Sequence, residues 1–434
     1  MTSNRSSWLI LGAGPSGLAN ARVLKKLSIP FDLVEKSGFS GGIWDHRRKD
    51  TPIYSTTHFI SSKTMSTFRD FPMPEDYPDY PSHEQILAYI RNFSAANGLE
   101  SAIRFNTEVT DLAPLPGGGW NATFDHGEQR EYQGVIVANG RNWYPNWPDY
   151  TGSFSGEIIH SKDYQGPDQL KGKRVLIVGG GNSACDIACD AAMTAEQTWI
   201  SMRRGYHFIP KHVFGIPSDV FANQGPHLPL WLERPVFRFL LNKLLIGDLR
   251  RYGLPKPDHP LFASHPIMNT RILHHLSHGD LQYLPDIKVL DGSRVHFSNG
   301  QSIEPDLIIY ATGYNQVFPF LRSEVFSWNP DQPDLFLNIF SRQYANLLFA
   351  GFVEADGAAF PLISLQADLI GAYLSQQIKD PVRWQKFRDR CESERPDLSG
   401  GIKHLPTARH AYYTQSHLYA KVLKKEFRRL DSNV

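Results

Sequence analysis

Cysteine is scarce in this chain: Cys185, Cys189 and Cys391 are the only three in 434 residues. Three thiols exclude a disulfide framework and fit a reducing compartment. Charge of one sign is lacking too, with Lys+Arg 45 against Asp+Glu 44 and a net charge of +1. No global bias therefore points to nucleic acid or an anionic membrane as partner. Long apolar runs are also missing. None approaches the ~20 residues of a bilayer span, and the greasiest patch, Pro235 to Ile246, is broken by Arg238, Asn242 and Lys243. The amino-terminal stretch reaches glycine too early for a signal-peptide core and cleavage site. A soluble, cytoplasmic protein is expected. What the chain does contain, 41% hydrophobic and 21% charged residues, is a globular composition. At roughly 150 residues per domain its length suffices for about three domains.

Two glycine-rich turns organise it. Trp8 to Leu11 is a short apolar run that reads as a buried parallel strand. Gly12-Ala13-Gly14-Pro15-Ser16-Gly17 follows, and then a helical stretch from Leu18 to Leu27. Strand, tight turn and helix are the context in which G-x-G-x-x-G cradles a dinucleotide pyrophosphate. Gly12 permits the turn, Gly14 the approach of phosphate, and Gly17 close helix–strand packing. The helix amino terminus adds free N–H groups and positive dipole. A second strand, Phe31 to Val34, ends in Glu35, which lies 23 residues (35 minus 12) after Gly12. A ribose diol needs an acceptor at that place.

The pattern recurs. Arg174 to Val178 is a strand, followed by Gly179-Gly180-Gly181-Asn182-Ser183-Ala184 and a helix through Ala192. Ala184 stands for the third glycine, which the fingerprint accepts. The next strand, Gln197 to Ile200, leads into Ser201, Met202, Arg203 and Arg204. A hydroxyl and two guanidiniums suit a ribose 2′-phosphate that a carboxylate would repel. The second cradle is therefore expected to hold NADP(H). With two cradles 167 residues apart (179 minus 12), the chain reads as an electron relay in which NADPH reduces a tightly held FAD in the acid-ended cradle.

Gly134 to Gly140, Asp306 to Gly313 and Leu347 to Gly351 are further strands running into glycine, where a doubly wound sheet receives ligands. Leu115 to Trp120 reads as a hairpin tip and Tyr144 to Pro148 as a linker. The expected fold is α/β with two Rossmann-like domains: an FAD domain split over 1–149 and 311–434, and an NADP domain over 150–310. Residues 205–265, rich in Pro, His and aromatics, read as an insertion over the cofactor cleft, with one amphipathic helix from Pro235 to Ile246. No membrane partner is expected, although Arg250, Arg251 and Lys256 behind that apolar stretch are what a membrane surface would favour. Cys185 and Cys189 share a helix face without metal-ligating neighbours and read as small buried hydrophobes; no metal is expected.

Together these residues resemble the class B flavin-containing monooxygenases. Phe154, Gly156, His160 and Tyr164 match the fixed positions of that family's F-x-G-x-x-x-H-x-x-x-[Y/F] fingerprint, just before the second cradle. Gly41-Gly42-Ile43-Trp44, Asp70-Phe71-Pro72-Met73-Pro74, Ala311-Thr312-Gly313-Tyr314 and Pro361 to Gln366-Ala367 are similar to its other motifs. The resemblance spans nearly the whole chain. It implies an FAD site of Gly12, Gly14, Pro15, Ser16, Gly17, Glu35, Lys36, Gly42, Trp44, Val109 and Gln366. It implies an NADP site of Gly179, Gly181, Asn182, Ser183, Ala184, Ser201, Arg203, Arg204, Thr312 and Gly313. The implied activity is an NADPH- and O2-dependent monooxygenation, in which a flavin hydroperoxide oxygenates nitrogen or sulfur of a small molecule. The cofactor supplies the reactive oxygen, so the protein needs no nucleophile or metal. Family members often dimerise, so a homodimer is open.

His160 serves either as a proton donor at the flavin or as a hinge residue between domains, and the structural role is favoured. One departure bears on chemistry. Where many family members carry Asn in an N-x-S-K stretch, this chain has Ile60, followed by Ser61, Ser62 and Lys63. Ile60 and Ser61 are expected near flavin and substrate, and an alkyl group cannot hydrogen-bond there as an amide does. A more apolar pocket, a shifted substrate range or leakage of hydrogen peroxide follows. An NADPH oxidase and Baeyer–Villiger ketone oxygenation stay as alternatives, as does, further off, a non-catalytic redox module. A disulfide reductase is excluded, because Cys185 and Cys189 have the wrong spacing and lie on the NADP side.

Overall fold

The computed structural model describes residues 3–224, 230–326, 334–407 and 412–431. The elements that frame the site are, in chain order, β1 (Ser3–Leu11), α1 (Pro15–Lys26), β2 (Phe31–Val34), β3 (Gln129–Val137), β4 (Glu157–His160), β5 (Arg174–Val178), α2 (Asn182–Thr194), β6 (Gln197–Ser201), β7 (Leu307–Tyr310), β8 (Leu347–Phe349) and α3 (Ala359–Lys379).

A nine-stranded sheet has β8, β3, β1 and β2 adjacent and parallel at its centre. Its strands come from both ends of the chain, and Leu9 pairs with Asp32 on one side and Val135 on the other. The middle strands are apolar on both faces because both are covered. On one side α1 and α3 pack together, burying Leu18, Leu24, Ile363 and Ile370 against Ile10 and Leu33. On the other, the hairpin Val109–Pro114 and Trp120–Phe124 buries Leu112, Trp120 and Phe124 against Leu9 and Val135. The hairpin tip turns through Gly117, Gly118 and Gly119, all at positive φ, where glycine has no steric cost.

A second, five-stranded parallel sheet has the order Gln282–Leu284, β6, β5, β7, β4. Helix α2 covers one face through Ala184, Ile187, Ala188 and Ala191. A four-stranded sheet covers the other, joining Val295 and Phe297 to Leu176 and Trp199. Cys185 and Cys189 are packing residues on the buried face of α2. Parallel strands with helical crossovers make both sheets Rossmann-like.

The sheets are joined by two chain segments that run side by side. Tyr144–Pro145 pairs antiparallel with Tyr314–Asn315. The stretch read as a linker is thus half of a two-stranded ribbon. In the 205–265 insertion the apolar stretch forms a helix at Leu230–Phe239, with Pro235 inside it, and continues as a π-helical segment at Leu240–Leu245. Val236, Phe239 and Leu244 on it are exposed. No described helix is long and apolar enough to cross a membrane.

Candidate cofactor crevice and flavin-side strip

The first glycine turn is built as a ligand cradle. Gly12 has φ +100°, and a Cβ there would lie 2.7 Å from the Ala138 carbonyl oxygen. A Cβ on Gly17 would come within 1.8 Å of the Gly12 carbonyl oxygen, so α1 packs on the turn only with hydrogen at that position. Pro15 opens α1 in its first turn, where the missing N–H costs nothing. Gly42, at φ +62°, brings the segment before Trp44 against Gly14; a Cβ there would stand 3.0 Å from the Gly14 Cα. Beyond β8, Gly351 closes on Ser16, leaving 2.1 Å to its Oγ for an added Cβ. Beside Gly12 sits Asn139, whose buried Oδ1 has no hydrogen-bond partner among the described residues. A buried acceptor of this kind needs a ligand or water, so the residues present fit a bound dinucleotide.

Glu35 lies at the end of β2, 5% exposed. Its Oε2 accepts from Ala13 N at 2.9 Å, and its Oε1 from Ser37 N at 3.0 Å, Ser37 Oγ at 2.9 Å and Arg48 at 3.0 Å. Arg48 also forks onto both oxygens of Asp50 and lies over the Trp143 ring. Burial raises the Asp50 pKa, but Arg48 and then Lys36 outweigh it and hold the carboxyl at about 2. Lys36 is thus tied to Asp50 at 3.3 Å and sits over Trp143. Val109 opens its hairpin strand as a core residue. Gln366 is fully buried; its Oε1 accepts from Gly351 N at 2.9 Å and its Nε2 donates to the Tyr419 hydroxyl at 2.8 Å. Its amide is therefore committed to holding the β8 exit, one step behind the cradle.

The second turn repeats the first. Gly179 has φ +140°, and a Cβ would lie 2.3 Å from the Ala311 carbonyl oxygen. Ala184 takes the third position, its Cβ 3.5 Å from where a Gly179 Cβ would be. Gly181 caps α2 with open space around it. Ser183 is exposed, whereas the Asn182 side chain accepts from Met268 N at 2.8 Å. The Ser201 hydroxyl is buried and donates to the Pro285 carbonyl at 2.7 Å. Arg203 is exposed and Arg204 half-buried, and among the described residues neither forms an ion pair. These two guanidiniums stand where the first unit has Glu35.

Thr312 and Gly313 lie in the ribbon. The Thr312 hydroxyl donates to the Asn146 carbonyl at 2.5 Å, and Asn146 N donates to the Gly313 carbonyl at 2.9 Å. His160 ends β4 opposite Tyr310 and packs against Trp147 and Tyr314 of the two joining segments. Its Nδ1 accepts from Lys162 N at 3.1 Å, and burial pushes its pKa down to about 4. The ring is thus packed where the two joining segments meet β4.

Trp44 meets Phe59 edge-on at 5.2 Å, which leads into Ile60 and Ser61, both half-buried. Ser61 accepts from Ser66 at 2.8 Å, and Ser62 N donates to Asp219 of the insertion at 2.7 Å. This strip, the one expected beside flavin, is thus joined to the first glycine turn's neighbour Trp44 and to the insertion by Asp219.

The model of the flavin-binding monooxygenase-like family matches residues 7–417. The chain belongs to that family. Flavin-containing monooxygenase 3 of Homo sapiens is 32% identical over 382 residues, 82% of this chain and 71% of that protein. Indole-3-pyruvate monooxygenase YUCCA1 of Oryza sativa subsp. japonica is 32% identical over 348 residues, 76% of this chain and 82% of its own length. In fold, steroid monooxygenase bound to NADP superposes with a TM-score of 0.72 at 17% identity, over 99% of this chain and 98% of that one. S-allyl-L-cysteine S-oxygenase from Allium sativum superposes with a TM-score of 0.67 at 20% identity, over 98% and 88%.

This flavin-binding monooxygenase-like chain is accordingly an NADPH-dependent flavoprotein monooxygenase with FAD and NADPH as cofactors. Sequence reasoning missed Arg48, Trp143 and Asn139 around the first cradle, because no spacing marks them. It also passed over Asp186 and Asp190, which a helix-face count shows as two acids, i and i+4, on the buried side of α2.

Proposed function

We propose that this monooxygenase acts on the sulfur or nitrogen of a small molecule, with FAD in the first cradle and NADP(H) in the second. When bound, the cofactors supply the redox chemistry: hydride from NADPH reduces FAD, one atom of O2 goes to the substrate, and the other leaves as water. The observation that carries the placement is the contrast between the two strand ends, a buried carboxylate at Glu35 and, at Arg203 and Arg204, two guanidiniums that form no ion pair among the described residues. Glu35 accepts from hydroxyls and repels a 2′-phosphate; Arg203 and Arg204 attract one.

On this reading 1–149 and 311–434 serve FAD and 150–310 serves NADP. Gly12, Gly14, Pro15, Ser16, Gly17, Gly42 and Trp44 wall the flavin cradle, and Gln366 supports it from behind. Gly181, Ser183 and the start of α2 receive the second pyrophosphate. Ile60 and Ser61 face the substrate side and exclude water, leaving the oxygen-transfer region apolar. Soft nucleophiles are favoured there over charged ones. The working place of the enzyme is the cytoplasm, consistent with its three free thiols.

A panel of sulfides, tertiary amines, indoles and ketones, incubated with holoenzyme and NADPH and analysed by mass for one added oxygen, tests this reading. S- or N-oxides are expected. Lactones or esters alone would move the chain to Baeyer–Villiger chemistry, and peroxide without any product to an oxidase.

A further inference from the structure

Helix α2 carries more than a phosphate cradle at its amino end. Asp186 and Asp190 stand one turn apart on its side, and among the described residues neither forms an ion pair. Hydroxyls and an amide answer them instead. Asp186 accepts from the Tyr54 hydroxyl at 3.4 Å and from Asn269 Nδ2 at 2.6 Å. Asp190 accepts from the Thr56 hydroxyl at 2.6 Å and from the Tyr164 hydroxyl at 3.1 Å.

Tyr54 and Thr56 belong to the strip that continues into Ile60 and Ser61. Tyr54 is 5% exposed and lies inside the core of the second sheet, its ring 5.3 Å from Tyr164. Among the described residues it is the sole member of that buried core from the first 150 residues. Between the two hydroxyl contacts, Ser55 N donates to the Gln165 carbonyl at 2.9 Å. Gly166 approaches so closely that a Cβ on it would stand 2.3 Å from Ser55 Oγ. The strip is therefore fastened to the second-sheet unit by polar contacts at three successive residues, those of Tyr54 and Thr56 being to α2 itself.

A helix rises ~1.5 Å per residue and moves as a rod. Whatever fixes Asp186 and Asp190 fixes the cradle at the start of α2, and Tyr54 and Thr56 do so against the flavin side. We propose that these four residues form a latch setting the register of the nicotinamide cradle against the flavin-side strip, and that they are positioning residues for hydride delivery. The proposal rests on NADP(H) occupying the second cradle. Hydride transfer needs reacting atoms within ~3–3.5 Å, and a displacement of ~1 Å can slow a reaction ~100-fold. Loss of the latch therefore affects the rate of reduction more than the affinity for either cofactor.

The test is anaerobic stopped-flow reduction of the FAD-loaded enzyme at saturating NADPH, for wild type, Thr56→Val, Thr56→Ser and Thr56→Val combined with Tyr54→Phe. Valine keeps the shape of threonine without its hydroxyl, and serine keeps the hydroxyl without the methyl. Flavin reduction is expected to slow about tenfold or more in both valine variants and to stay near wild type in Thr56→Ser. Dissociation constants for FAD and NADP⁺ should change by no more than about twofold, since neither cradle is altered. Reduction as fast as wild type in the double variant overturns the latch. So does a Thr56→Ser enzyme as slow as Thr56→Val, which would mean packing and not the hydroxyl. If the valine variants do not accumulate as holoenzyme, Tyr54→Phe alone is measured by the same criterion. A wild-type flavin that NADPH does not reduce would refute the functional reading itself, a result distinct from failure of the latch alone.

Discussion

Arg48 donates to Glu35 across 3.0 Å, with both side chains almost fully buried. With Ala13 N, Ser37 N and Ser37 Oγ also donating, the carboxylate has four donors, about all it can accept. A ribose bound at Glu35, as proposed, would therefore displace one of them. Ser37 Oγ is the easiest to release, because it also has the Phe39 carbonyl at 2.8 Å. Glu35→Ala should weaken FAD binding about 10–100-fold, the range for hydrogen bonds to a charged group. Ser37→Ala should leave affinity unchanged or improved. Quenching of free-flavin fluorescence measures both; an unaltered constant for Glu35→Ala would place the ribose elsewhere.

Cofactor choice is expected to rest on the two arginines. The Ser201 hydroxyl is turned toward Pro285, so Ser201→Ala should not discriminate between nicotinamide nucleotides. Arg203→Ala with Arg204→Ala should raise KM for NADPH by about 10–100-fold and leave KM for NADH within about threefold. Steady-state assays with both coenzymes decide it, and equal changes would detach these residues from the 2′-phosphate.

Ile60 is expected to govern coupling. Ile60→Asn introduces an amide on the flavin-side strip, and the ratio of oxygenated product to NADPH consumed should change, with hydrogen peroxide moving in the opposite direction. An identical ratio would show that this position does not face the reacting oxygen.

His160 imposes a pH dependence on stability. Its folded pKa, about 4, lies below the ordinary value of 6.5 because the ring is buried. The neutral form is favoured by folding, so this stability is complete above pH ~6.5 and lost as pH falls toward 4. The loss is on the order of 3 kcal/mol. His160→Asn retains an acceptor for Lys162 N, and its melting temperature should fall less steeply over that window than the wild type. Asp186 and Asp190 work in the opposite direction. Burial raises both, so their contribution is present in acid and declines as pH rises through their folded values. Melting curves of Asp190→Asn should accordingly be flatter above the ordinary aspartate pKa.

Much of this architecture was legible in the residues themselves. Gly12 and Gly179 announce the cradles because only glycine tolerates those backbone angles beside a neighbouring carbonyl. Glu35, Arg203 and Arg204 stand at strand ends whose offsets are set by the length of one crossover. What was not legible depends on contacts across long stretches of chain. Arg48 reaches Glu35 by way of a loop without a period, and Gln366 meets Gly351 and Tyr419 behind the sheet. The latch joins Thr56 to Asp190, 134 positions away, and no local pattern encodes that pairing.

The central claim is that NADPH held by the second cradle reduces FAD held by the first. Its most direct measurement is the visible flavin absorbance of purified holoenzyme mixed with NADPH without oxygen, followed by readmission of O2 with a sulfide. Bleaching by NADPH, much slower bleaching by NADH, and return of colour with sulfoxide formed are the expected results. Flavin colour that NADPH leaves untouched, or protein that binds no flavin at all, would contradict the account.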